Sequence, residues 1–188
     1  VENLQKKRDV LLLGAGNNVK KYISQIEDYI YKKKPVVVSL NINKFLDPKF
    51  IDYYIACDQT RILLESYDYS NFDNFLIVPL SRVESDIKKQ FNKKKICDFG
   101  LKIGNNNFQT INKNGCILKK PLAIAYALSF ANASKARKIL LAGMDGYSKK
   151  DINNVIMQEL FYDYKSQNLC KMYAVTPTSY NINKNYII

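Results

Sequence analysis

Two apolar runs in this chain are too short for helices and too uniformly apolar to leave one side wet. Val10-Leu11-Leu12-Leu13 stops at Gly14, and Ile139-Leu140-Leu141-Ala142 stops at Gly143. A strand that is apolar at every position has to be covered on both faces, as in a parallel sheet sandwiched by helices. Val36-Val37-Val38-Ser39-Leu40 has the same character. Strands of such a sheet place their carboxyl ends along one edge, where ligands bind. Two glycine-marked strand ends therefore point to a crevice for a nucleotide or another phosphorylated ligand.

The intervening segments alternate between helical and extended patterns. Val19, Tyr22, Ile23, Ile26 and Ile30 recur at spacings of three and four, which predicts a helix over Val19–Tyr31 with Asn17 or Asn18 as its cap. Further strands are expected at Tyr53–Cys57, Phe75–Val78, Lys95–Phe99 and Tyr173–Val175. Further helices are expected at Gln59–Ser66, Val83–Phe91, Pro121–Ala136 and Ile152–Gln167. Gly100–Gly115 reads as a loop, or as a loose hairpin turning at Asn114-Gly115. The fold class is thus α/β: a mostly parallel, Rossmann-like, three-layer sheet with helices on both faces.

At 188 residues and 47% hydrophobic content, one folded domain is the simplest organisation. Residues 1–8 read as a linker remnant and 9–188 as the domain. The chain opens on Val, and it reads as a domain excised from a longer protein. No apolar run approaches the roughly 18–20 residues of a membrane span, and the first residues lack the apolar core of a signal peptide. A cytoplasmic setting without a membrane partner is expected.

The net charge of +12 favours anionic partners. The lysines nevertheless fall in scattered clusters, Lys32–Lys34, Lys93–Lys95, Lys119-Lys120 and Lys149-Lys150, as on a solvated surface. With no Arg-rich arm, zinc-finger spacing or RNP-like aromatic motif, nucleic acid is a poor fit. Cys57, Cys97, Cys116 and Cys170 form no C-x-x-C pair, so reduced, packed thiols are expected and no metal site is assigned. The chain contains no histidine, which removes any His-based triad or His general base.

The candidate site gathers at the strand ends. Gly14-Ala15-Gly16 allows a tight turn and close backbone approach. With Asn17 and Asn18 opening the next helix, it could cradle a phosphate. The third glycine of G-x-G-x-x-G is absent, Val19 standing there, and an ordinary glycine turn would leave the same trace. Asp145, between Gly143 and Gly146, is the candidate catalytic residue. It could orient a hydroxyl, bind a ribose, hold Mg²⁺, or merely cap a turn. Ser39, Asn41 and Asp58 follow other strands and could line the same edge. Tyr147 is the tyrosine best placed to join them, and Asn105–Asn107 could form a flap.

The segment from Pro121 through Lys138-Ile139-Leu140-Leu141-Ala142-Gly143-Met144-Asp145-Gly146-Tyr147 resembles the late part of bacterial family 42 sialyltransferases. It also resembles the related hydroxymethylpterin diphosphokinase-like and motility-accessory-factor proteins. Those families carry an early G-x-G-P-S turn and a late strand ending in G-x-D. Gly14 and Gly16 match the first motif, while Asn17-Asn18 replace its Pro-Ser. The resemblance implies a shared fold and a nucleotide-shaped crevice. It does not imply sialyl transfer, for which a histidine base is expected. The arrangement is also similar to the domain that follows an HMG-CoA-lyase-like barrel in 4-hydroxy-2-oxovalerate aldolase-type proteins of surface-polysaccharide clusters.

The expectation is an accessory domain that binds a nucleotide or nucleotide-sugar beside an N-terminal aldolase domain. Two alternatives stay open. One is a phosphoryl, pyrophosphoryl or glycosyl transferase using Asp145, with Asp58 and Mg²⁺. The other is an interaction module built on the Ile152–Met157, Leu160 and Phe161 face.

Overall fold

Strands that cannot present a polar face end up at the centre of the fold. The computed structural model describes residues 7–91, 95–167 and 169–187. It contains a seven-stranded, all-parallel sheet. The strands are β1 (Asp9–Leu13), β2 (Val36–Leu40), β3 (Tyr53–Ile55), β4 (Phe75–Val78), β5 (Ile96–Asp98), β9 (Lys138–Ala142) and β10 (Met172–Ala174), in the order β10-β9-β1-β2-β3-β4-β5. β1 lies centrally, in register with both apolar neighbours: Leu11 faces Val37 on β2 and Leu140 on β9.

Alternation divides each strand between two cores. Leu11, Leu13, Val37 and Leu140 face one side. That side is covered by α1 (Asn17–Lys21), α2 (Ile23–Lys33), α3 (Gln59–Leu64), α4 (Ser66–Asn71) and α5 (Ser85–Gln90). Val10, Leu12, Val38 and Leu141 face the other side, under α6 (Ala123–Ala133) and α7 (Ile152–Ser166). This is the expected three-layer, Rossmann-like arrangement.

Two predicted helices are broken. The Val19–Tyr31 helix is interrupted at Tyr22, which has left the helical region (φ −114°, ψ 27°). It begins at Asn17, with Gly16 in the cap position and no side-chain cap of its own, so neither Asn17 nor Asn18 fills that role. The Gln59–Ser66 helix ends at Glu65, and α4 follows it.

The segment expected to be loop or loose hairpin is a second sheet. Residues β6 (Gly100–Ile103), β7 (Thr110–Asn112) and β8 (Gly115–Leu118) pair in the order β6-β8-β7. The β7–β8 hairpin turns at Lys113-Asn114 rather than Asn114-Gly115. The Asn112 carboxamide oxygen accepts from the N–H groups of Asn114 and Gly115, an Asx turn that shifts the register by one residue. α6 lies between this small sheet and the main one, and it buries every residue from Ile124 to Ala131. A helix apolar all round needs cover on both sides.

Lys7 and Arg8, assigned to a linker, are tied to the domain through Lys135 and Arg137 main-chain atoms. The rest of that segment and Lys93-Lys94 lie outside the described residues. All four cysteines are free, with Cys57 and Cys116 buried. No helix among the described residues is long and apolar enough to cross a membrane.

The chain passes from the main sheet to the small one at Phe99, between β5 and β6. Its N–H donates to Val78 O at 3.2 Å, and its carbonyl accepts the phenol of the buried Tyr126 on α6. Tyr126→Phe would leave that carbonyl buried and unpaired. A loss of about 1–3 kcal/mol is expected, read as a lower urea midpoint at unchanged slope.

Candidate functional site

The chain runs from β1 through β2 to β5 on one side, then returns as β9 on the other side of β1. In an open parallel sheet, such a split leaves a crevice at the carboxyl ends of the strands. Both glycine turns sit there, and they are in contact. Gly14 N–H donates to Ala142 O at 2.8 Å, and Gly16 N–H donates to Gly143 O at 3.0 Å.

The glycines are explained by that closeness. A β-carbon on Gly14 would lie 2.1 Å from Met144 Cε and 2.6 Å from Gly143 O. One on Gly16 would lie 2.5 Å from the Asp145 carboxyl and 2.6 Å from Gly143 O. Gly143 has φ +71°, and a β-carbon there would meet Val19 at 2.4 Å.

Asp145 reaches across this junction. Its Oδ2 accepts from the Asn18 N–H at 2.9 Å, so it caps α1 from 127 residues away. Of the turn expected to cradle a phosphate, Gly14, Ala15 and Gly16 line the cleft, while the Asn18 N–H is taken by this carboxylate. The carboxylate already holds the Asn18 N–H at the start of α1, and the short helix is stabilised by an internal anion. Oδ1 is buried, with no hydrogen-bond partner among the described residues. Asn18 turns its side chain away, donating from Nδ2 to Pro177 O at 2.9 Å. Neither Asn17 nor Asn18 lines the cleft.

The cleft has a volume of about 400 Å³ and is lined from both faces of the sheet, by Arg61 of α3 and by the start of α6. Its walls include the Gly14-Ala15-Gly16 turn, Asn41, Arg61, Asp145, Tyr147 and the start of α6. Asn41 holds a left-handed backbone (φ 57°). Ser39 is fully buried beneath it and donates from Oγ to Asn41 O at 2.7 Å, so Ser39 supports the wall without forming it. Tyr147 stands at the mouth, 50% exposed. Tyr180 forms the floor nearby, and burial pushes its phenol up to about 12.

Asp58 does not join the site. Its carboxylate accepts from the Arg61 N–H at 2.9 Å and caps α3, which leaves Asp145 without the expected acidic partner. Among the described residues no group of three His, Cys, Asp or Glu side chains is placed to hold a metal ion. Asn107 donates to Asp163 on α7 at 3.1 Å, so Asn105–Asn107 form no flap over the cleft. The face proposed for interaction is divided: Met157, Leu160 and Phe161 are buried, while Ile152 and Val155 are exposed.

Three contributors went unread in the sequence. Arg61 projects to the cleft from α3 and is paired through Nε with Glu65 at 3.0 Å; Glu65 also accepts from Ile42 N–H and the Tyr69 hydroxyl. Asn43 is buried, donates to Gly14 O at 2.8 Å, and accepts from Phe45 and Leu46 N–H groups, which pins the loop after β2 to the glycine turn. The polar run after β2 signalled the turn, though not its distant partner. The third is the start of α6. Leu122 in the cap position supplies no side-chain hydrogen bond, and there is no acidic residue in the first turn. The Ala123, Ile124 and Ala125 N–H groups find no acceptor among the described residues. Unpaired donors and the helix dipole make this wall electropositive.

Two substitutions test this packing. Gly16→Ala forces a β-carbon against both the Asp145 carboxyl and a backbone carbonyl, and should cost about 1–3 kcal/mol in chemical denaturation. Asp58→Ala should cost about 1 kcal/mol as a lost cap of α3, read as a lower denaturation midpoint. Compared with protein-family models, curated proteins and solved structures, the chain matches none of them, so the site rests on its own geometry.

Proposed function

We propose that this domain binds a nucleotide or nucleotide-sugar in the cleft where the sheet divides between β1 and β9, as an accessory domain of a longer enzyme. The observation that carries the reading is a cleft of about 400 Å³ at that division, walled by the uncapped start of α6. A cavity of this size is in the range of small-ligand sites. Free N–H groups at a helix start are suited to phosphate oxygens. Arg61 adds a guanidinium whose fork matches phosphate geometry.

The side chains available favour binding over turnover. Among the described residues, the lining contains one carboxylate, Asp145, one guanidinium, Arg61, and two phenols, Tyr147 and Tyr180. Among the same residues it includes no Ser, Cys or Lys that could pair with a base as a nucleophile. The resemblance to the domain after an HMG-CoA-lyase-like barrel supports assigning lyase chemistry to a companion aldolase domain, with this domain supplying ligand recognition.

Isothermal calorimetry with CMP, CDP, UDP and ATP, each with and without Mg²⁺, tests the reading. At least one should bind, more weakly as salt is raised, because the charges lining an open cleft are partly screened. Arg61→Ala should weaken that binding by about tenfold, the scale of one charge-assisted hydrogen bond. Absence of binding by all four nucleotides would contradict the proposal.

A further inference from the structure

Cations that are scattered along the sequence meet where the central strands begin. This amino-terminal edge lies across the sheet from the cleft, roughly 17 Å away along five-residue strands. Lys7 and Arg8 lead into β1, and Lys32–Lys34 lead into β2. On the other side, Lys135 and Arg137 lead into β9, which opens on Lys138, and Lys171 leads into β10. These four strands are consecutive in the sheet. All of these side chains are exposed except Lys138, which is partly so.

Main-chain hydrogen bonds set like charges side by side. Lys7 N–H donates to Lys135 O at 3.1 Å, and Arg137 N–H donates to Arg8 O at 2.9 Å. Ile139 N–H donates to Lys171 O at 2.9 Å, which brings Lys171 level with Lys138. Acids offset only part of this charge. Asp9, mostly buried, pairs with Arg137 at 2.7 Å and Lys138 at 3.5 Å. Asp28 pairs with Lys32 at 2.6 Å, and Asp52 accepts from Val37 N–H at 2.8 Å.

Local structure does not ask for these cations. The last turn of a helix favours Lys, which accounts for Lys32 and Lys33 on α2. Arg8, Arg137, Lys138 and Lys171 stand at strand starts, where that reason is absent and like charges on neighbouring strands repel. Lys7, Lys34 and Lys135 hold left-handed backbones, with φ of 60°, 48° and 59°, where Gly or Asn sits with less strain.

We infer that this edge docks a partner protein through an acidic surface, leaving the cleft open at the far edge whatever the cleft binds. Carboxylates brought by the partner relieve the repulsion between the strand starts. Arg is the residue whose fork matches phosphate, and both guanidinium groups here are engaged: Arg8 on Lys34 O and Arg137 on Asp9. The remaining cations are lysines, point charges suited to single carboxylates. This favours an acidic protein over the phosphates of a nucleic acid or a membrane.

Calorimetry of the full chain at low salt tests this with poly-L-glutamate, a random-sequence DNA duplex and phosphatidylserine vesicles at equal charge concentration. Polyglutamate should bind, and more tightly than the other two. Lys34→Gly/Lys171→Gln should weaken that binding about tenfold, the scale of two exposed ion pairs. Its thermal midpoint should hold or rise, because Gly suits the left-handed position. Lys149→Gln/Lys150→Gln removes the same charge from exposed positions beyond the other edge and should change binding less than about twofold. Equal weakening by both double variants would mean attraction by net charge alone and would overturn the inference. So would tighter binding of DNA or vesicles, no binding of polyglutamate, or a lower midpoint of the edge variant with its binding unchanged.

Discussion

The Gly143 carbonyl sits closer to the β1 turn than any side chain would permit. It accepts from Gly16 N–H at 3.0 Å and lies 2.6 Å from where a β-carbon would stand on either Gly14 or Gly16. Three features depend on this approach. The β1 and β9 turns become one rigid unit at the division of the sheet. Asp145 is carried to the start of α1. The cleft takes part of its wall from this unit, through Gly14, Gly16 and Gly143. Glycine at 14, 16 and 143 is therefore first a packing requirement, and any ligand contact is built on top of it.

The two helix starts at this edge of the sheet differ in what meets their N–H groups. The expectation from the early glycine turn was a phosphate at the helix that follows it. In the fold, the Asn18 N–H is occupied by a carboxylate from the chain itself, while the later helix α6 begins without a cap. A Lys- and Arg-rich surface draws anions toward the protein in general. Within the cleft the charged and polar contributors are local: Arg61, Asp145 and the uncapped start of α6.

Much of the main sheet was legible because burial on both faces leaves a strong trace. Val10–Leu13, Val36–Leu40 and Lys138–Ala142 needed no alternation to be recognised as strands. The small sheet was hard to read for the opposite reason. Thr110–Asn112 is partly exposed and mostly polar, and the apolar Leu101 and Cys116 signal little without α6 above them. The breaks at Tyr22 and Glu65 follow no Gly or Pro. At the site, the two glycine turns were visible and their mutual contact was not. Asp145 and Asn18 meet only after the sheet is assembled, and neither Arg61 nor Asn43 belongs to a motif.

The remote cap on α1 also bears on how the molecule assembles. Residues 9–90 contain β1 through β4 and the five helices of one face, and could collapse early through contacts between segments close in sequence. Their central strand would still expose its β9 edge, and Asn18 N–H would lack its acceptor. Both are satisfied only when residues 138–145 dock, more than a hundred positions later. The glycine junction is thus a late, long-range closure. During synthesis from the N-terminus, the cleft would take shape late, and the open β1 edge would be the part most exposed to wrong strand pairing until then.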